Sequence, residues 1–319
     1  MREAGIGSEI LPWRDVLHDG PVPAGLGLSE LSLVRASYLA SNGLGERGTI
    51  FSDFALRDSI LQRCAQYDPI TLWFEWDLYD QLQLIQILDF LSRAKDVEAE
   101  ASPTLEVVGV AGYLGNLPAE AFSALYERRL PITRDMLLLG RSAWLAFTSP
   151  EPYDIVALMA TDTSSLPFLD AAFLRLLEEL PSIRGGLARS ERQLLQGIAD
   201  GKTRFGDLFQ DFANREERIY CGDSSAASYL ERLSRGTEPL VVYPSGDRVI
   251  APRNPVEGAA FRNAELVLTD AGRAVLAGDR DWIEMGGSDR WLGGMHLDGR
   301  NVAWRWDPEL RTVIDAPVG

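Results

Sequence analysis

The sequence predicts an α/β protein: a mainly parallel sheet flanked by helices in an N-terminal domain, then a helical region and a winged-helix-like C-terminal domain. Three observations predict it. The first third alternates strand-like and helix-like stretches. Amphipathic helical patterns take over from Pro118. After Gly186 the order becomes helix, helix, helix, strand, loop, strand, helix. The 319 residues, 46% hydrophobic and 24% charged, are enough for more than one core. The expected boundaries are 1–117 for the α/β domain, 118–182 for a helical connecting region, 183–285 for the winged-helix-like domain and 286–319 for a hairpin tail.

Taken in order, residues 9–13 read as a strand whose Pro12 suits an edge or a strand end. Ser29 can cap a helix through Ala40, stopped by Asn42-Gly43, and Ser52 can cap a second through Gln66. Residues 70–74 form a short, nearly continuous apolar run, as expected of a strand buried on both faces. Leu78, Leu82, Ile85, Leu88 and Leu91 then recur at helical spacing, and Gln81, Gln83 and Gln86 are read as facing water. A further strand over 105–110 closes in a turn at Gly112 to Gly115.

Helices follow over 119–129, over 134–147 behind a Thr133 cap, and over 168–180. Helices are also expected over 190–199, 205–213, 224–233 and 269–276, with strands over 239–243 and 265–268. Asp298-Gly299, between 295–297 and 302–304, predicts a type I′ hairpin. Trp282, Trp291, Trp304 and Trp306 are read as core.

A net charge of -16 argues against nucleic acid and anionic membranes as partners. Lysine occurs only at Lys95 and Lys202, which leaves few candidates for amine chemistry. Cys64 and Cys221 lie far apart with no Cys-x-x-Cys spacing, so neither a disulfide framework nor a zinc site is suggested and a reducing cytoplasm fits. No uninterrupted apolar run approaches the length of a membrane-spanning helix.

Two phosphate-binding patterns fail on context. Gly43-Leu44-Gly45-Glu46-Arg47-Gly48 has the letters of a dinucleotide loop, but a helix, not a strand, precedes it. The stretch from Gly197 to Thr203 is one residue short of a phosphate loop and reads as a helix end. With His18 and His296 the only histidines, a three-histidine metal site within one chain is impossible. His18 sits in a polar stretch entering a proline-stiffened loop and is a candidate catalytic group beside its plainer reading as a loop histidine.

Carboxylates give the strongest lead. In open α/β sheets ligands bind beyond the carboxyl ends of strands, where Asp15, Glu75, Asp77 and Asp80 fall if their strands are parallel. Such acids can hold magnesium or act as general acid and base, although no metal-ligand set and no cofactor is singled out. Asp77 stands at a helix N-cap and Asp80 at the capping-box position, so both have structural readings. Glu75, late in a buried strand, needs a partner or a cleft, with Asp15 as its expected neighbour and Arg14 or Arg57 as its expected cation. The catalytic candidates are therefore Glu75, Asp15 and His18. The ligand-binding candidates are Arg14, Asp77, Asp80, Gln81 and Arg57, and the alternative is a buried ion-pair network.

The stretches from Leu11 to Pro23 and from Leu72 to Leu84 together resemble the bacterial DUF1835 family, a domain of unknown function. The resemblance covers about the first third of the chain, one domain's worth, and Arg290-Trp291-Leu292-Gly293-Gly294 is similar to what accompanies that domain. It implies no activity. Relatives usually carry histidine where Trp76 stands here, and they begin with an additional strand and an Asn-Gly-Asp-Ser-like turn that this chain is expected to lack. Gly5 and Gly7 are read as stopping barely one turn of helix.

Two functions compete. One is binding or turnover of a small polar or phosphate-bearing ligand at the carboxylate-lined sheet end. The other is a regulatory or protein-interaction role of the winged-helix-like half, with Arg232 and Arg235 on its third helix and too few cations to favour DNA. Oligomeric state is not legible.

Overall fold

The computed structural model describes residues 6, 9–94, 103–287 and 289–316, so the helix stop expected at Gly5 and Gly7 lies outside the described residues. A loop over 9–19 leads into strand β1 (Gly20–Pro21), helices α1 (Leu28–Ser41) and α2 (Arg47–Leu61), strand β2 (Ile70–Glu75), helix α3 (Leu78–Arg93) and strand β3 (Leu105–Val110). Next come α4 (Ala119–Glu127), β4 (Leu130–Pro131), α5 (Arg134–Thr148), α6 (Tyr153–Met159) and α7 (Leu169–Leu177). Helices α8 (Arg189–Ala199), α9 (Phe205–Asn214) and α10 (Asp223–Leu233) precede β5 (Val241–Val242), α11 (Pro255–Phe261), β6 (Val267–Leu268) and α12 (Asp270–Ala277). The chain closes with β7 (Arg290–Gly293), β8 (Met295–Leu297), β9 (Trp304–Asp307) and β10 (Thr312–Asp315).

The protein is mixed α/β, and of the expected mainly parallel sheet the described residues show the parallel pairs β2–β3 and β1–β7. Among the described residues the strands make small separate sheets. β2 pairs parallel with β3, from Ile70 opposite Leu105 to Glu75 opposite Val110, and β4 joins β3 antiparallel. The strand expected over 9–13 is absent, and the reason lies in Trp13. Its indole Nε1 donates to Gln86 Oε1 at 2.9 Å, and the Arg57 guanidinium stacks on its ring 4.2 Å from the centroid. Residues 9–13 therefore lie across α3 instead of beside β2, and Pro12 has no N–H for a ladder.

β1 pairs instead with the far end of the chain. Gly20 lies parallel to Leu292 and Pro21 to Gly293, and the Val22 N–H donates to the Gly293 carbonyl at 2.8 Å. Gly20 has φ +84°, and a β-carbon there would stand 2.4 Å from the Tyr38 ring. Only glycine fits both demands.

Helix α3 carries the predicted apolar stripe inward, but it is buried almost all round, with Gln81, Gln83 and Gln86 included. Their water-facing reading is corrected: β2, α5, α7 and the N-terminal loop surround the helix, and each amide finds a partner there. Against α5 the approach at Gly140 leaves no room for a side chain, since a β-carbon there would stand 2.4 Å from Leu88 Cβ. Thr133 caps α5 as expected, accepting the Met136 N–H at 3.2 Å. α2 starts before the expected Ser52 cap, because the Glu46 carboxylate already accepts the Gly48 and Thr49 N–H groups. Gly43 and Gly45 join α1 to α2 and Gly48 falls in the first turn of α2, so the glycines make a helix-to-helix turn.

The predicted hairpin about Asp298-Gly299 also fails. β8 pairs with β7 and β9 with β10, while 298–301 makes only a turn. β9 is held from its other side, where the Trp306 N–H donates to the Pro181 carbonyl at 2.8 Å. One buried core runs from Leu17 to Val313, and α1 and α2 share a smaller cluster of Ala36, Leu39, Ile50 and Phe54. Trp282 and Trp306 are core, as read. Among the described residues no helix is long and apolar enough to cross a membrane.

Candidate functional site

The crevice forms where β2 hands over to α3. Asp77 caps the helix, its Oδ1 accepting the Asp80 N–H at 3.2 Å. Glu75 ends β2 on the edge away from β3, and α3 supplies what a neighbouring strand would have given it. Its N–H donates to Asp80 Oδ2 at 2.5 Å, and its carbonyl accepts Gln81 Nε2 at 2.6 Å. Asp80 therefore seals a strand edge instead of completing a capping box. The Glu75 carboxylate reaches the turn after β3 and accepts the Leu114 N–H at 2.6 Å.

Each of the three acids thus holds a backbone donor, and Asp77 feels that of Tyr79 as well. Burial pushes the Asp77 carboxyl up to about 7, with repulsion from Asp80 and Glu75 adding to it. Burial likewise pushes Asp80 up to about 6, offset by the Glu75 N–H and reinforced by the Glu75 charge. The charges acting on this pair are other carboxylates. Trp76 and Tyr113 form the rim: Arg218 lies over the Trp76 ring at 4.8 Å and donates to its carbonyl at 2.9 Å, and the Tyr113 hydroxyl accepts the Ile219 N–H. Among the described residues no three His, Cys, Asp or Glu side chains are grouped to hold a metal ion. Two carboxyls that titrate near neutrality can accept hydrogen bonds from a cation and pass a proton between themselves and a ligand.

The structure brings Glu75, Asp77, Asp80 and Gln81 together and places the other candidates elsewhere. Asp15 is not the neighbour of Glu75. It is buried in a two-pronged ion pair with Arg35, at 3.0 Å from Nε and 2.8 Å from Nη2. Arg35 also donates to the carbonyls of Val16, Asp19 and Pro21. Arg57 is not the cation of Glu75 either: it binds Asp58 at 2.9 Å and Ser32 at 2.7 Å, packed on Trp13 and Phe54. Arg14 is exposed.

His18 belongs to a second, sealed polar cluster. It is 4% exposed, and among the described residues neither ring nitrogen has a hydrogen-bond partner. The ring meets Tyr220 edge-on at 4.9 Å and lies 6.0 Å from Tyr79. Burial pushes its pKa down to about 4, so it is neutral at pH 7. Around it Asp19 pairs with Arg232 at 3.4 Å, and Arg175 with Glu179 at 2.7 Å and Glu216 at 2.8 Å. Ser190 Oγ accepts from Arg175 at 2.8 Å, donates to Glu179 at 2.7 Å, and lies 3.0 Å from the Tyr220 hydroxyl. Burial pushes the Cys221 thiol far up, so it stays protonated and unreactive.

This interior has the residue types of catalysis without access, whereas at the end of β2 Glu75 and Asp80 are half-buried and Asp77, 3% exposed, lies beneath them. Sequence reasoning missed most of the interior. Only Arg175 and Glu179, four apart at the end of α7, carried a readable signal. No protein-family model, curated protein or solved structure matches this chain.

Proposed function

We propose that the chain binds a small polar ligand at the carboxylate-lined end of β2, and that the ligand presents hydrogen-bond donors or positive charge. The observation that carries this reading is the pair Asp77 and Asp80, raised towards neutrality by burial with only carboxylate charges acting on them, beside Trp76 and Tyr113. An amine, amidine or amide donor would relieve that repulsion and rest against the aromatic rim. A phosphate-bearing ligand is less well served, since the acids would repel it and no metal-holding group lies among the described residues. Thermal stabilisation tests this with diamines, amino acids and nucleobases against phosphorylated metabolites with and without magnesium. Amine-bearing compounds should raise the Tm of the wild type but not of Glu75→Gln combined with Asp80→Asn. A shift of equal size in both proteins, or no shift with any compound, would sink the reading.

The second reading concerns residues 183–285, which we read as a winged-helix-like unit acting in protein contacts or structure. In its favour, β5 pairs antiparallel with β6, and Arg204 forms an antiparallel bridge with Glu265. Its third helix, α10, is mostly buried, with Arg232 drawn to Asp19, and Arg253 of the following loop binds both Glu231 and the Asn42 carbonyl. A helix so covered cannot enter a DNA groove without release. DNA binding detected at low salt and lost with added salt would argue for that release. Kinship with DUF1835 stays within this proposal; the two resembling stretches meet in the fold, where Gln83 donates to the Asp15 carbonyl at 3.0 Å. The two cysteines, Cys64 and Cys221, are both buried, which suits a reducing cytoplasm.

A further inference from the structure

The loop over 15–22 is held on three sides. Arg35 binds the Asp15 carboxylate and three loop carbonyls, Arg232 of α10 pairs with Asp19, and β1 lies on β7. His18 stands in the middle with both ring nitrogens buried and unpartnered. The groups facing it are Asp19 on its own loop, Arg35 on α1, Tyr79 on α3, Arg175 on α7, Glu179 just after it, and Tyr220. The carboxylates among them are already engaged, Asp19 by Arg232 and Glu179 by Arg175 and Ser190. A proton on the imidazole would therefore add a buried charge whose two N–H groups find no open acceptor.

We infer that His18 is a proton-operated latch: neutral, it lets the 15–22 loop dock on β7 and α10, and protonated, it releases the loop. Release parts β1 from β7, the only strand pairing of the N-terminal loop among the described residues. It also frees the side of Tyr79 that meets His18, a ring on which the Asp15, Asp80 and Asp77 carboxylates also act. The latch does not depend on the ligand proposed for the crevice.

Amide hydrogen exchange on the full chain, corrected for intrinsic rates, tests this at pH 8 and pH 5 on peptides covering 15–22 and 290–293. A ring held at about 4 when docked and at 6.5 when released raises the open population about 30-fold between those conditions. His18→Phe keeps a ring between the tyrosines but takes no proton, and its opening should change less than about threefold. No rise in the wild type, or an equal rise in His18→Phe, overturns the latch. If His18→Phe does not fold, histidine NMR of the wild type decides, because His296→Gln identifies the only other ring. A His18 ring that titrates near 6.5 while the loop stays protected overturns the proposal, and one that stays neutral until the loop exchanges supports it.

Discussion

Replacing Asp77 by asparagine should stabilise the protein, and increasingly so as pH rises. Asparagine keeps the acceptor that caps α3 through the Asp80 N–H, so the helix start survives. What disappears is an ionisable group whose folded carboxyl is lifted from 3.8 to about 7. Between those values the folded state holds the proton more firmly than the unfolded chain. The wild type therefore has its full stability below pH 3.8 and loses it as pH climbs through 7. A lift of that size corresponds to about 4 kcal/mol as an upper bound, and relaxation of the repulsion with Asp80 and Glu75 brings the expected gain at pH 8 to about 2–4 kcal/mol. At pH 4 the gain should fall below about 1 kcal/mol. Urea unfolding of both proteins at the two pH values measures it directly. If Asp77→Asn were equally destabilised at pH 4 and pH 8, Asp77 would be an ordinary ionised cap, and the crevice would store no repulsion for a ligand to relieve.

Arg35→Met should destabilise by about 3–5 kcal/mol in urea unfolding, because it strands the buried Asp15 carboxylate and three loop carbonyls, and adding Asp15→Asn should recover part of the loss. Gly140→Ala should cost about 1–3 kcal/mol by chemical denaturation despite the better helix former, since its new methyl meets Leu88. Acid stability carries the opposite sign from Asp77: Glu179, drawn down to about 2 by Arg175 and Arg290 against its burial, contributes stability above its ordinary 4.5 that is lost as pH falls through 2. Glu179→Gln should therefore flatten the acid limb of a Tm-versus-pH curve below 4.5, while lowering stability at pH 7 because Arg175 loses a charge partner.

The crevice was legible because it is local. Glu75, Asp77, Asp80 and Gln81 fall within seven consecutive residues where an apolar strand meets a capped helix, and no fold could place them far apart. Their individual roles were only partly legible: the Asp77 cap follows from spacing, whereas Asp80 sealing the edge of β2 depends on that edge staying free. The glutamines of α3 were misread because periodicity locates an apolar stripe but does not say what covers the opposite face.

The sequence alone determined the α/β class, β2, β3, most helix positions, the Thr133 and Asp77 caps, and the rejection of both glycine-loop patterns. These rest on propensity, periodicity and caps, which act within a few residues. Tertiary structure decided that residues 9–13 pack on α3 instead of forming a strand, that β1 pairs with β7, that the tail folds into two hairpins, and that Asp15 and His18 leave the crevice for the interior. Each of those outcomes is a choice among partners distant in the chain, made by burial and hydrogen-bond satisfaction. Trp13, Asp15 and His18 carry no local mark of whether Gln86, Arg35 or Tyr220 will meet them.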